Sequence, residues 1–205
     1  QLALPANGTA TAIVELTDGS FAIGAWVETA STATRTVLLT TDPAGGGVAT
    51  TALLPISRVH AAAATPEGVL LAGEVTVSGE QMNGVLLHRT KQETLWRRTY
   101  GGAADDRLHD VVRLASGAVI ACGATASKGS GQHDAWLLRT DKHGASLLDY
   151  SYGSADDEVA FAIAAVPAVG YAVVGQQVGK VASDGLIFVV NAEVGLLWLK
   201  HVGGA

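Results

Sequence analysis

Two pairs of adjacent carboxylates, Asp105-Asp106 and Asp156-Asp157, and two histidines in similar phrases, His60 in RVHA and His109 in RLHD, have the types and spacing that could do chemistry. Paired carboxylates suit general acid–base work or calcium ligation. Two imidazoles with Asp110 beside one of them would begin a metal site. The context argues for something plainer. The Asp pairs stand at the same place in two similar stretches, YGGAADDRLHD and YGSADDEVAF, and a catalytic pair is not expected in every copy. A turn cap is, because a short carboxylate accepts nearby backbone N–H groups. GGAADDR also lacks the alternating oxygen donors of a calcium loop. The column of His60 and His109 holds no ligand elsewhere: Ala160 stands there in the fourth stretch, Thr11 or a neighbour in the first. No cofactor and no metal is expected, with His60 and His109 as weak candidates. Asp134, Asp184 and Asn83 align ahead of an apolar run and read as residues that order the Gly/Ser loops before them. Cys122, the single cysteine, sits in an apolar column with Ile23, Ala72 and Val174 and reads as a small buried hydrophobe.

The elements that would position these residues recur. A glycine ends an apolar run at Gly24, Gly73, Gly123 and Gly175, roughly fifty residues apart. TVLLTTD, GVLLHRT, AWLLRTD and LIFVVNA follow with the same period, and so do TLWRRTYGG, SLLDYSYGS and GLLWLKHVGG. Each unit carries four short apolar runs separated by Gly, Asp, Asn and Ser, the pattern of antiparallel meanders. No segment sustains a helical period. The fold class predicted is all-β, a β-propeller of four four-stranded antiparallel blades. The blades are expected at about 8–55, 56–102, 103–154 and 155–205, within one domain, with 1–7 an extra outer-type strand. The alanine-rich first run of each unit would lie at the crowded axis. Trp136 would fall in a third strand, Trp96 and Trp198 in fourth strands. One outer-type strand is then surplus. Either the N-terminal piece closes the ring in the last blade, or the chain is an arc of a larger propeller, completed by further sequence or a second copy.

The composition agrees. Hydrophobic residues make up 48% and charged residues 16% of 205. The net charge of −6 argues against nucleic acid as a partner. No apolar run reaches the length of about 20 residues that spans a bilayer. The chain opens on Gln1, as it would after signal-peptide cleavage or trimming, and has one cysteine and few lysines, which fits a secreted, periplasmic or cell-surface protein.

The pattern YGG..DD…SG…ACG……GQHDAWLLRTDKHG resembles the bacterial β-propeller repeats of secreted and cell-surface proteins. It is close in the third and fourth units and eroded in the first two. The resemblance implies an architecture and a place outside the cytoplasm, and no single activity.

Searches for catalytic motifs fail: G-x-S-x-G, H-E-x-x-H, a Walker loop and a dinucleotide fingerprint are missing from the sequence. The function expected is non-catalytic, a binding or scaffold module for another protein or for self-association. A lectin-like propeller is one alternative, disfavoured by aromatics at 5% with none clustered in loops. A hydrolase using His60, His109 and Asp110 is the other. The expected binding face gathers the loops between second and third strands with the inter-unit loops. It places Gln81, Met82, Gln132 and His133 beside Asp105, Asp106, Asp156 and Asp157 as binding residues.

Overall fold

The computed structural model describes residues 8–28, 34–179 and 182–203. Sixteen strands form four antiparallel sheets of four, each in chain order, and the described residues contain no helix. The first sheet comprises β1 (Gly8–Glu15), β2 (Phe21–Glu28), β3 (Thr34–Thr40) and β4 (Ala49–Leu54). The second comprises β5 (Arg58–Ala64), β6 (Val69–Ser78), β7 (Gln81–Arg89) and β8 (Thr94–Tyr100). The third holds β9 (Asp106–Arg113), β10 (Val119–Thr125), β11 (Asp134–Thr140) and β12 (Ser146–Tyr152). The fourth holds β13 (Asp157–Val166), β14 (Gly170–Val178), β15 (Ser183–Asn191) and β16 (Leu196–Val202). The expected extra strand at 1–7 lies outside the described residues, as does most of the loop before β3. Two compact units divide the chain, Gln1–Thr99 and Tyr100–Ala205.

Turn chemistry ends the strands. After each third strand a small polar side chain accepts two backbone N–H groups of the following turn. Asp42 Oδ1 takes those of Ala44 and Gly46, Asp141 Oδ1 those of His143 and Ala145, and Asn191 Oδ1 those of Glu193 and Gly195. In the second sheet Thr90 Oγ1 takes those of Gln92 and Glu93. The left-handed residue these turns need is glycine at Gly45 and Gly144, but Val194, at φ 58°, in the fourth sheet. DKHG is thus the hairpin turn that its composition suggests.

One irregularity recurs in every first strand. The ladder between first and second strands skips one residue: Thr11 in β1, His60 in β5, His109 in β9 and Phe161 in β13. Each is the extra residue of a β-bulge. In three sheets the residue opposite is a glycine, and the bulge presses a carbonyl onto it. A Cβ on Gly73, Gly123 or Gly175 would stand 2.0, 1.9 or 2.0 Å from the oxygen of Arg58, Arg107 or Val159. The recurring glycine is therefore the imprint of the bulge. Two alignments shift as a result. In the first sheet the residue opposite the bulge is Ala25, so Gly24 pairs in place with Ala72, Cys122 and Val174. In the fourth sheet the histidine column continues to Phe161, one residue past Ala160, because Phe161 holds the same bulged place as His109.

Within each unit the second sheet lays its first strand on the first sheet. β5 crosses β1 and β2, and β13 crosses β9, β10 and β11. In the first unit Ala22, Leu38, Leu54 and Ile56 pack with Val59, Leu71, Val85 and Leu87. In the second, Ile120, Cys122, Ala135 and Leu137 pack with Ile163, Tyr171, Val173, Leu186 and Phe188. Burial of such apolar area is worth about 25 cal/mol per Å² and is the main cohesive term between sheets. Trp136 is fully buried on β11, while Trp96 lies on β8 and Trp198, exposed, on β16. Cys122 is fully buried in the second core, and desolvation, with Asp110 adding to it, pushes its thiol far up from the ordinary range.

The bulge residue also ties sheet to sheet. Thr11 Oγ1 donates to the Val59 carbonyl at 2.5 Å, and His109 Nδ1 to the equivalent Ala160 carbonyl at 2.9 Å. Asp110 Oδ2 accepts the Ile163 N–H at 2.9 Å. Two of the four tyrosines hold turns of the second unit. Tyr100 Oη donates to the Gly144 carbonyl at 2.7 Å, and Tyr152 Oη to the Val194 carbonyl. This is why Tyr precedes the glycine of both YGG and YGS.

Candidate functional site

Three connections of the second unit meet at one end of its sheets: the 101–105 segment before β9, the 126–133 loop between β10 and β11, and the 153–156 segment before β13. Asp105 O accepts the Ala126 N–H at 2.8 Å, and Ser127 Oγ accepts the Ala104 N–H at 3.1 Å. The Glu158 N–H donates to the His133 carbonyl at 2.9 Å. Asp105, Asp106, Gln132, His133, Asp156 and Asp157 are therefore brought to one loop cluster.

Their carboxylates are mostly committed. Asp106 is fully buried and receives the Gly102 N–H at 2.8 Å, the Ser127 hydroxyl at 2.7 Å and the Thr125 hydroxyl. It leaves no room on Gly101, whose Cβ would lie 2.2 Å from Asp106 Oδ2 and whose φ is 132°. The structural counterpart of Asp106 in the fourth sheet is Glu158, and that of Asp105 is Asp157. Glu158 receives Ser154 N–H at 2.9 Å, Ser154 Oγ at 2.6 Å and Gln177 Nε2 at 3.0 Å. The two Asp pairs are thus offset by one residue. In YGGAADDR and YGSADDEV the capping acid stands five places beyond glycine, and in the second it is a glutamate. Asp157 Oδ1 receives the His133 N–H at 3.0 Å. Asp156 accepts Gln177 Nε2 at 3.3 Å, and Asp105 pairs with Arg107 at 3.4 Å. Asp134, buried, holds the 126–133 loop through the N–H groups of Ser130 at 3.0 Å and Gly131 at 3.2 Å. Capping is the role found for Asp106 and Asp134, and sequence reasoning missed Glu158 because it counted aspartates.

Gln81 and Met82 are not loop residues. They lie in β7, paired with Ser78 and Thr76 across a hairpin whose turn is Gly79-Glu80, with Gly79 in the left-handed region at φ 55°. The polar run SGEQ suggests a long loop, but a positive-φ glycine closes the hairpin in two residues and the ladder runs on. Both side chains are half-buried, and they belong to the first unit. Gln132 is exposed at the tip of its loop, and His133 is half-buried with Nδ1 4.0 Å from Asp157 Oδ1.

Each histidine of the column is engaged within its own unit. His60 Nε2 faces the buried Glu74 carboxylate at 3.6 Å, which Arg58 approaches at 3.5 Å. His109 has its Nδ1 committed to a carbonyl, and its ring stacks at 5.8 Å on Phe161. Both oxygens of Asp110 accept backbone N–H groups, from Val111 and Ile163. Among the described residues no group of three His, Cys, Asp or Glu side chains is placed to hold an ion. No helix of the described residues is long and apolar enough to cross a membrane. Compared with known proteins, the chain matches no family model and no curated protein.

Proposed function

We propose that the four sheets are blades of a β-propeller and that the protein is a non-catalytic binding module acting outside the cytoplasm, with the loop end of the second unit as its contact surface for another protein. The observation that carries this reading is the use of the loop acids. Asp106, Asp134 and Glu158 are buried and spent on backbone and hydroxyl donors. They set the shape of the connections rather than face a substrate. What such loops then present is Gln132, His133 and the rims of Asp105 and Asp156, held at the ends of four-stranded sheets. Rigid scaffolds with shaped loops favour recognition, since little ordering entropy is lost on binding.

The test is capture of partners from the native source with immobilised chain, compared with a Gln132→Ala/His133→Ala double variant. Loss of a specific partner, with an unchanged circular dichroism spectrum and melting temperature, supports the reading. Undiminished recovery of that partner moves the contact elsewhere.

A further inference from the structure

In both units one sheet packs on the next in the same way. The receiving face carries Ala22, Gly24 and Leu38 in the first sheet and Ile120, Cys122 and Leu137 in the third. The register places Ala172, Val174 and Ile187 at these positions in the fourth sheet. There Val174 is exposed, and Ala172 and Ile187 are half-buried. Val174 is 46% and Phe161 50% exposed, whereas Cys122, the counterpart of Val174, is 0% exposed. Ala162 and Ala164 on the same strand are exposed too. The opposite half of this packing is the face by which the fourth sheet sits on the third, carried by Ile163, Val173 and Phe188. Its counterparts in the first sheet are Ile13, Ile23 and Leu39. Ile13 is 64% exposed where Ile163 is 5% exposed. Ala10, whose carbonyl corresponds to the acceptors on Val59 and Ala160, is exposed as well.

We propose that the exposed face of the β13–β16 sheet receives the β1–β4 sheet of a second copy of this chain. Both halves of a contact that the chain forms twice carry exposed apolar side chains, and neither half carries a charge at the positions named. A second copy supplies a surface of the kind that meets this face in the first-to-second and third-to-fourth packings. The contact is heterologous, since different patches meet, so it closes into a ring or extends according to the rotation between copies. It buries Phe161, Val174 and Ile13, apolar side chains whose exposure together on a lightly charged chain marks an interface. It does not depend on the loop-end reading above, because Gln132 and His133 take no part.

The test is the mass of the 205-residue chain by light scattering and sedimentation across a concentration series. Phe161→Arg and Ile13→Arg are each expected to reduce it to one chain's mass, with the circular dichroism spectrum unchanged. Val174→Lys replaces Phe161→Arg if that variant does not fold. Mixing the two single variants then discriminates. Phe161→Arg keeps an intact first sheet and Ile13→Arg an intact fourth, so the mixture must regain the mass of a two-chain complex. A wild-type chain that stays monomeric at every concentration overturns the proposal. So does association that survives both substitutions, or a mixture that remains monomeric.

Discussion

A carboxylate that meets a partner must turn lone pairs outward, and Asp106 has turned them inward. It is fully buried and serves three donors, whereas Asp157, half-buried, serves the His133 N–H and lies near that residue's ring. Asp106→Ala removes the acceptor of the Gly102 N–H and the Thr125 hydroxyl, while the Ser127 hydroxyl keeps the Ala104 carbonyl at 3.3 Å, and an unsatisfied buried donor costs about 1–3 kcal/mol. The expected loss is about 3 kcal/mol for Asp106→Ala and about 1 kcal/mol or less for Asp157→Ala, read from urea unfolding midpoints at constant slope. Tyr152 makes a different prediction. Burial, with Tyr150 adding to it, pushes its phenol up to about 12. The folded state thus favours the neutral form, so the contribution is present below the unfolded value of about 10 and is lost as pH rises through about 12. Thermal melts taken from about pH 9 upward should show the wild type losing more stability than Tyr152→Phe. Parallel curves would mean that the phenol ionises without consequence for the fold.

The bulged first strand explains which parts of the sheets were legible in the sequence. Gly73, Gly123 and Gly175 stood out because a carbonyl lies where their Cβ would be, a demand on residue type. The bulge residues themselves, Thr11, His60, His109 and Phe161, share no chemistry, because a bulge asks only for backbone. Aligning the units on a shared glycine or an aspartate pair slipped by one at Ala25, at Phe161 and at Glu158, because the structural equivalents there differ in residue type, and long polar SGEQ concealed a two-residue hairpin. The strands and their turns were legible, since alternating apolar runs and Gly, Asp and Asn punctuation are local. The stacking of sheets was not, since it depends on which face a bulge leaves outward. Gly123→Ala should cost about 2–3 kcal/mol, the usual penalty of forcing extra atoms into a packed site. Ala25→Gly, at the equivalent place in the first sheet, should cost about 1 kcal/mol or less, the entropic cost of an added glycine. Differential scanning calorimetry of the two variants decides, and equal losses would remove the special status of the bulge carbonyl.

Within each of the two units, apolar side chains hold one sheet on the next while single polar bonds fix the register: Thr11 to Val59 in the first, His109 to Ala160 and Asp110 to Ile163 in the second. The meander order has a consequence in time. Strands that are hydrogen-bonded neighbours are consecutive in sequence in every sheet, so each pairing closes a short loop and never waits for a distant segment. Loop-closure entropy is small for such contacts, and hairpins form in about 1–10 μs. Stacking one sheet on another, by contrast, must bring together residues such as Cys122 and Val173 across three intervening strands and their turns. After dilution from denaturant, amides of the β9–β12 hairpins should therefore gain exchange protection before the Cys122 thiol, buried in the core between the sheets, is shielded from alkylation. Pulse-labelling exchange set against pulsed thiol alkylation measures that order, and simultaneous protection of amides and thiol would show that the sheets cannot form ahead of their stacking.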